Sequence, residues 1–251
     1  MTTTLYHGEP NGPSFTVLVA LLEKAVPADL VHIDLAAGER HTLSNASQAE
    51  VAMSVEGEGP VLVVDGEAMT DSVFVACFLD DIGSGAALRP ADPYHRWEMM
   101  TWCRQLIERT APAAAYLGCR AYPPHGAASM IDRIVSVDLR ARWDATSEGR
   151  FEEDKLSDSR IKIGQAVERI EARLDGRQWL MGAFSIADIE SYAWLAGMVE
   201  IVPEAFAGRA RTAAWLERVK LRPAVVKALS LARTTNPLAS WAPGPEINRW
   251  G

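Results

Sequence analysis

Apolar positions in the first eighty residues switch between a period of two and a period near 3.6. Thr3–Tyr6 alternates and predicts a short strand; Phe15, Leu18, Val19 and Leu22 share one helical face and predict a helix over Ser14–Lys24. Leu30–Leu35 predicts a second strand. Residues 38–54 are polar and rich in Ala and Ser, and predict a loop with a short helix. Val61–Val64 and Glu67–Met69 flank Asp65-Gly66, a two-residue hairpin signal, and Ser72–Asp81 returns to helical period. The order is βαβ followed by ββα, a small α/β layer whose second half is antiparallel.

Past Gly83 the texture changes. Gly83, Gly85, Pro90 and Pro93 mark a linker, and almost no β-rich run follows it. Tyr94–Cys119 predicts a long helix broken near Pro112 and stopped by Pro123-Pro124. Ala127–Ala145, Ser157–Leu174, Ser185–Val199, Arg209–Lys220 and Pro223–Arg233 predict further helices, with a charged loop over 146–156. The tail from Thr234 is too rich in Pro, Asn, Gly and Trp for a regular helix. The expected organisation is an α+β domain over residues 1–82, a linker over 83–93 and an all-α domain over 94–251.

Composition narrows the function classes. Over 251 residues the net charge is −8, which disfavours nucleic acid and anionic membrane surfaces as partners. A small anionic ligand held by a local positive field remains open. Cys77, Cys103 and Cys119 lie far apart without CxxC spacing, and the five histidines form no metal-spaced pair. Neither disulfides nor a metal are expected. The start, Met-Thr-Thr-Thr-Leu-Tyr, has no basic or apolar leader, and no apolar run is long enough for a bilayer; a cytoplasmic protein is expected.

Residues 54–78 hold the candidate chemistry: Gly59-Pro60, an apolar strand, a tight turn, then Asp71-Ser72 at a helix start. Free N–H groups at a helix N-terminus bind a carboxylate, the Ser72 hydroxyl adds a donor, and Asp71 can accept from an ammonium group. Both residues are equally plain helix caps. Pro60 can open a strand in trans, which base rates favour, or in cis, which would turn the backbone of Gly59 toward an extended peptide. Ser14 follows Asn11-Gly12-Pro13 at the start of the first helix. It can serve as a cap, or its hydroxyl can donate to a ligand thiolate, which the helix N-terminus also favours. Asn11 is its rival as donor. His41 could meet a distant ligand carboxylate or simply be solvated. Phe15, Trp102 and Tyr116 are either core residues or the walls of an apolar pocket for an aromatic ligand. Ser185 and Asp188 form a capping box, with Phe184 and Ile189 at staple positions, so Asp188 has a structural explanation.

Together, Leu5-Tyr6 with Ser14, Gly59-Pro60-Val61-Leu62, Asp71-Ser72, Leu88-Arg89-Pro90-Ala91-Asp92-Pro93, the Ser185–Asp188 box and Leu221-Arg222-Pro223-Ala224-Val225 resemble a glutathione transferase over nearly the whole chain. The resemblance implies a thioredoxin-like domain followed by a helical domain, glutathione as co-substrate, a dimer of one chain type or two, and a cis bond at Pro60. The linker followed by Tyr94-His95-Arg96-Trp97-Glu98-Met99, with the Ser-type first loop, is similar to the bacterial β-etherases, which cleave β-aryl ethers of lignin-derived aromatics. By that resemblance Ser14 activates the thiol, and Gly59 and Pro60 line the cysteinyl unit. Asp71 and Ser72 hold the γ-glutamyl end, and His41 holds the glycyl carboxylate. Glu56 and Glu58 depart from the usual pattern and add negative charge beside an anionic ligand. The alternatives are therefore transfer to another electrophile, or a weakly active subunit of a heterodimeric β-etherase.

Overall fold

The structure, a computed structural model, describes residues 2–39, 59–124, 131–134 and 136–244. Its first part contains β1 (Thr3–His7), α1 (Gly12–Glu23), β2 (Asp29–His32), β3 (Val61–Val64), β4 (Glu67–Met69) and α2 (Ser72–Ile82). The strands stand in the order β2-β1-β3-β4. β1 runs parallel to β2 and antiparallel to β3, and β4 closes the hairpin antiparallel to β3. At the turn Asp65 (φ 48°) and Gly66 (φ 88°) are both left-handed, as a tight two-residue hairpin demands. The loop and helix expected over 38–54 fall outside the described residues from position 40 onward.

The remainder is helical. α3 (Pro93–Gln105) passes through a wide π turn at Leu106–Thr110 into α4 (Ala111–Ala121). This is the break expected near Pro112: the proline lacks an N–H and its ring crowds the carbonyl four residues earlier, and a widened turn relieves both. The helix expected over Ala127–Ala145 is corrected. Ile131–Arg133 makes only one 3₁₀ turn, and α5 spans Val137–Ser147 because the Ser136 hydroxyl accepts from Leu139 N (3.3 Å) and sets the start. α6 (Glu153–Arg173) begins four residues earlier than expected, with Glu153 and Asp154 placed to favour its N-terminus. Then follow α7 (Ile186–Leu195), α8 (Met198–Ile201), α9 (Pro203–Phe206), α10 (Ala210–Lys220) and α11 (Pro223–Leu229). The single helix expected over Ser185–Val199 is divided at Gly197, and α11 stops short of the expected Arg233.

Two features position the site. α1 is buried along most of its length between the sheet with α2 on one side and α7 on the other; Phe15 stacks on Tyr192 at 5.0 Å. Asp188, in the first turn of α7, is fully buried. It accepts from Leu180 N (3.0 Å), Ser185 N (3.0 Å), Ser185 Oγ (3.0 Å) and Trp215 Nε1 (2.9 Å), so the expected capping box is present and reaches α10 as well.

Candidate active site

The C-terminal edge of β1, the start of α1, the turn into α2 and the π turn of the helical half surround a cavity of about 420 Å³. Asn11, Ser14, Gly59, Pro60, Asp71 and Ser72 all line it. Six candidates scattered over sixty residues thus share one space. Ile107, Ala111, Ala115 and Trp194 give the facing wall its apolar character. Residues 240–244 cross the mouth as a strap.

Ser14 accepts a hydrogen bond from Gly8 N at 2.9 Å. A hydroxyl has one proton and two lone pairs, so this contact pins the oxygen and leaves the proton to donate. Asn11 holds the N-cap position of α1, yet its side chain does not cap. Its Nδ2 donates instead to the Ser240 carbonyl (2.9 Å), while Oδ1 is buried without a partner. One of the two Asn11 amide protons is thus engaged by Ser240, while the Ser14 proton and the second Asn11 amide proton are left to donate. The orphaned Oδ1 can accept from a ligand N–H or S–H.

Asp71 sits at φ 72°, a left-handed conformation costly for a residue with a side chain, on the order of 1–3 kcal/mol. Its Oδ1 accepts from Val73 N (3.0 Å) and Phe74 N (3.1 Å), so it caps α2. The Ser72 hydroxyl does not face open space. It donates to Glu190, whose Oε2 lies 3.2 Å away. Glu190 on α7 is wholly buried and also accepts from Thr16 Oγ1 (2.7 Å) and Trp194 Nε1 (2.7 Å). Burial pushes its carboxyl above the usual range, and the Asp71 charge adds to that; the three donors pull the other way.

The strap and the segment that leads into it are held in place. Glu9 accepts from Arg233 N (3.1 Å), Thr234 Oγ1 (3.3 Å) and His32 Nε2 (3.1 Å). Trp241 packs on α4 at Gly118, where a Cβ would come within 2.2 Å of the Trp241 ring, so only glycine permits the contact. Trp241 and Trp194, rings 6.5 Å apart, give the cavity two aromatic neighbours.

The other candidates lie elsewhere. Phe15 has no exposed surface and belongs to the core. Trp102 is buried, donating to Ser191 Oγ (3.0 Å) beneath the Arg169 guanidinium (3.8 Å). Tyr116 borders a separate cavity of about 300 Å³ and accepts from Glu152 N (2.8 Å). His41 is outside the described residues. The cis bond expected at Pro60 is corrected: among the described residues every peptide bond is trans, Gly59–Pro60 included. A Gly–Pro amide keeps its intrinsic trans preference unless its surroundings select otherwise. Trp194, Trp241 and Glu190 were missed. An acid inside the apolar run Ile186–Leu195 was the available signal for Glu190; nothing in the irregular tail distinguished Trp241.

Among the described residues no helix is long and apolar enough to cross a membrane, and no His/Cys/Asp/Glu cluster has the makeup to hold a metal. No family model matches the chain. It is 28% identical over 244 residues to protein LigF of Sphingobium sp. strain SYK-6, covering 90% of this chain and 92% of that one. The crystal structure of the β-etherase LigF superposes with a TM-score of 0.84 at 26% identity, covering 92% of this chain and all of the other. Glutathione S-transferase F14 of Arabidopsis thaliana is 26% identical over 220 residues, 84% of this chain and 76% of that one. A glutathione transferase homologue from Sulfitobacter, solved with bound glutathione, shares the fold at a TM-score of 0.68 and 18% identity, over 92% and 98% of the two chains.

Proposed function

We propose that this chain, a glutathione-using enzyme of the glutathione transferase superfamily that resembles LigF, cleaves β-aryl ethers of lignin-derived aromatic ketones. The observation that carries the proposal is the pinned Ser14 hydroxyl in a cavity whose far wall is apolar and aromatic. Ser14 donates to the sulfur of glutathione at the start of α1, favouring its thiolate. Asn11 Oδ1 accepts from an N–H of the tripeptide. Asp71 and Ser72 meet the γ-glutamyl end, with Gly59 and Pro60 alongside the cysteinyl unit; His41 is assigned the glycyl carboxylate.

The chemistry is a displacement. The thiol loses its proton to solvent, a C–S bond forms at the carbon α to the ketone, and the C–O bond to the aryloxy group breaks. The electron pair leaves on the phenolate, which takes a proton from solvent. Phenolate is a tolerable leaving group, so positioning and thiolate activation carry most of the rate. Trp194, Trp241 and Ile107 hold the aromatic ketone, in place of the Phe15, Trp102 and Tyr116 set. A crystal soaked with glutathione tests the placement: sulfur within hydrogen-bond reach of Ser14 Oγ supports it, and sulfur elsewhere in the cavity overturns it.

The domain limits at residues 82 and 94, a cytoplasmic location and a dimer belong to the same reading. Phe74 on α2 is 63% exposed, and so are Tyr94 (64%) and Trp97 (59%) on α3, whose rings lie 5.5 Å apart. A second copy of the chain, or a related one, would cover these exposed apolar side chains. Phe74→Glu is therefore expected to convert the dimer to a monomer in light scattering while the fold, read by circular dichroism, is kept. A wild-type protein that is already monomeric would contradict the dimer.

A further inference from the structure

Ser72 cannot serve Glu190 and a ligand carboxylate with the same proton. As the structure stands, the Ser72 hydroxyl donates to Glu190 Oε2 (3.2 Å), so the one side-chain donor at the start of α2 points away from the cavity it lines. Thr16 and Trp194 donate to the same carboxyl, each at 2.7 Å, and these donors favour its ionised form. A ligand carboxylate arriving at Ser72 would face the ionised form of Glu190 across a single hydroxyl, at a site where burial of Glu190 limits screening.

The other groups facing Glu190 do not relieve this. Thr16 and Ser14 on α1 are uncharged. Asp71 before α2 and Asp188 on α7 carry the same sign as Glu190, and Cys103 on α3 is a buried thiol held neutral by burial. Among the described residues Glu190 has no ion-pair partner.

We propose that Glu190 is a positioning residue that takes up a proton when the carboxylate of the ligand's amino-acid end docks at Ser72, turning the Ser72 hydroxyl from Glu190 to that carboxylate. The proton comes from solvent and forms an O–H bond on Glu190. That O–H donates to a lone pair of Ser72 Oγ, and the Ser72 proton passes to the ligand. Every donor and acceptor stays paired, and one of the two facing charges disappears.

This rests on the reading that glutathione places its γ-glutamyl end at Ser72, and the test separates the two. S-methylglutathione, which has no thiol proton, is titrated into the full-length protein at pH 7 by calorimetry in phosphate and in Tris. The dependence of heat on buffer ionisation enthalpy counts protons. The wild type is expected to take up a proton on binding, up to about one per ligand, and Glu190→Gln to take up none. Thr16→Val removes a donor that favours the ionised Glu190 and so raises its proton affinity in the free protein; uptake is expected to fall there too, should the Gln variant fail to fold. Binding without proton uptake in the wild type overturns the proposal and leaves the glutathione reading intact. Absence of any binding overturns both.

Discussion

Ser14→Ala is expected to lower kcat/KM for glutathione-dependent ether cleavage by about 10²–10³, the range seen when one donor to a developing or reacting anion is removed. The loss should fall on kcat, because in the proposed reading the tripeptide is held by Asp71, Ser72 and the backbone rather than by Ser14. The pH profile gives a second readout. In the wild type the proposed mechanism expects the thiol to ionise below the free value of about 8.5. In the variant the rising limb should move up toward that value, since the hydroxyl that Gly8 N–H pins is no longer there to donate to the thiolate. A variant with unchanged pH profile and rate would remove Ser14 from the mechanism and point back to the backbone at the start of α1.

The largest expected effect on stability is at Asp188→Ala. Truncation strips the partner from buried donors on Leu180, Ser185 and Trp215, which lie on three different segments. Leaving buried donors unpaired in this way costs about 1–3 kcal/mol for each, enough in sum to threaten a typical domain. The pH dependence has a definite sign. Burial pushes the Asp188 carboxyl up to about 6, and the donors from Leu180, Trp215 and Ser185 only partly offset it. In the unfolded chain it titrates near about 3.9. The folded state therefore binds the proton more tightly, and the stabilisation is fully present below the unfolded value and declines as pH rises toward 6. The gap in chemical-denaturation free energy between wild type and Asp188→Ala should widen as pH falls from about 6 to about 4. A constant gap would mean that Asp188 titrates normally in the fold.

Much of the fold was legible because period and punctuation agreed. Asp65-Gly66 supplies the left-handed turn, so β3 and β4 appear at their expected limits, and Ser185 with Asp188 starts α7 where the capping pattern puts it. Legibility failed where local signals were weak. The run Ala127–Ala145 has helical spacing, but Ser136 offers a better start and α5 takes it. In the site, polar residues at turn and helix-start positions were findable, because Asn11, Ser14, Asp71 and Ser72 sit where backbone geometry brings helix N-termini toward the strand ends. The apolar wall was not. Aromatic residues at helical spacing, such as Trp102, give the same pattern in a core as in a pocket, and which one occurs depends on how the helices pack. Trp241 reaches the cavity only because Gly118, more than a hundred residues earlier, leaves room for it.

The central claim is that a glutathione thiolate formed beside Ser14 displaces a phenolate from an aromatic ketone. Its most direct measurement is phenol release from a model β-aryl ether ketone, followed with and without glutathione, with the second product identified by mass. The account predicts phenol and a glutathionyl ketone in equal amounts, and neither without glutathione. Phenol released without glutathione, or none released with it, would contradict the account.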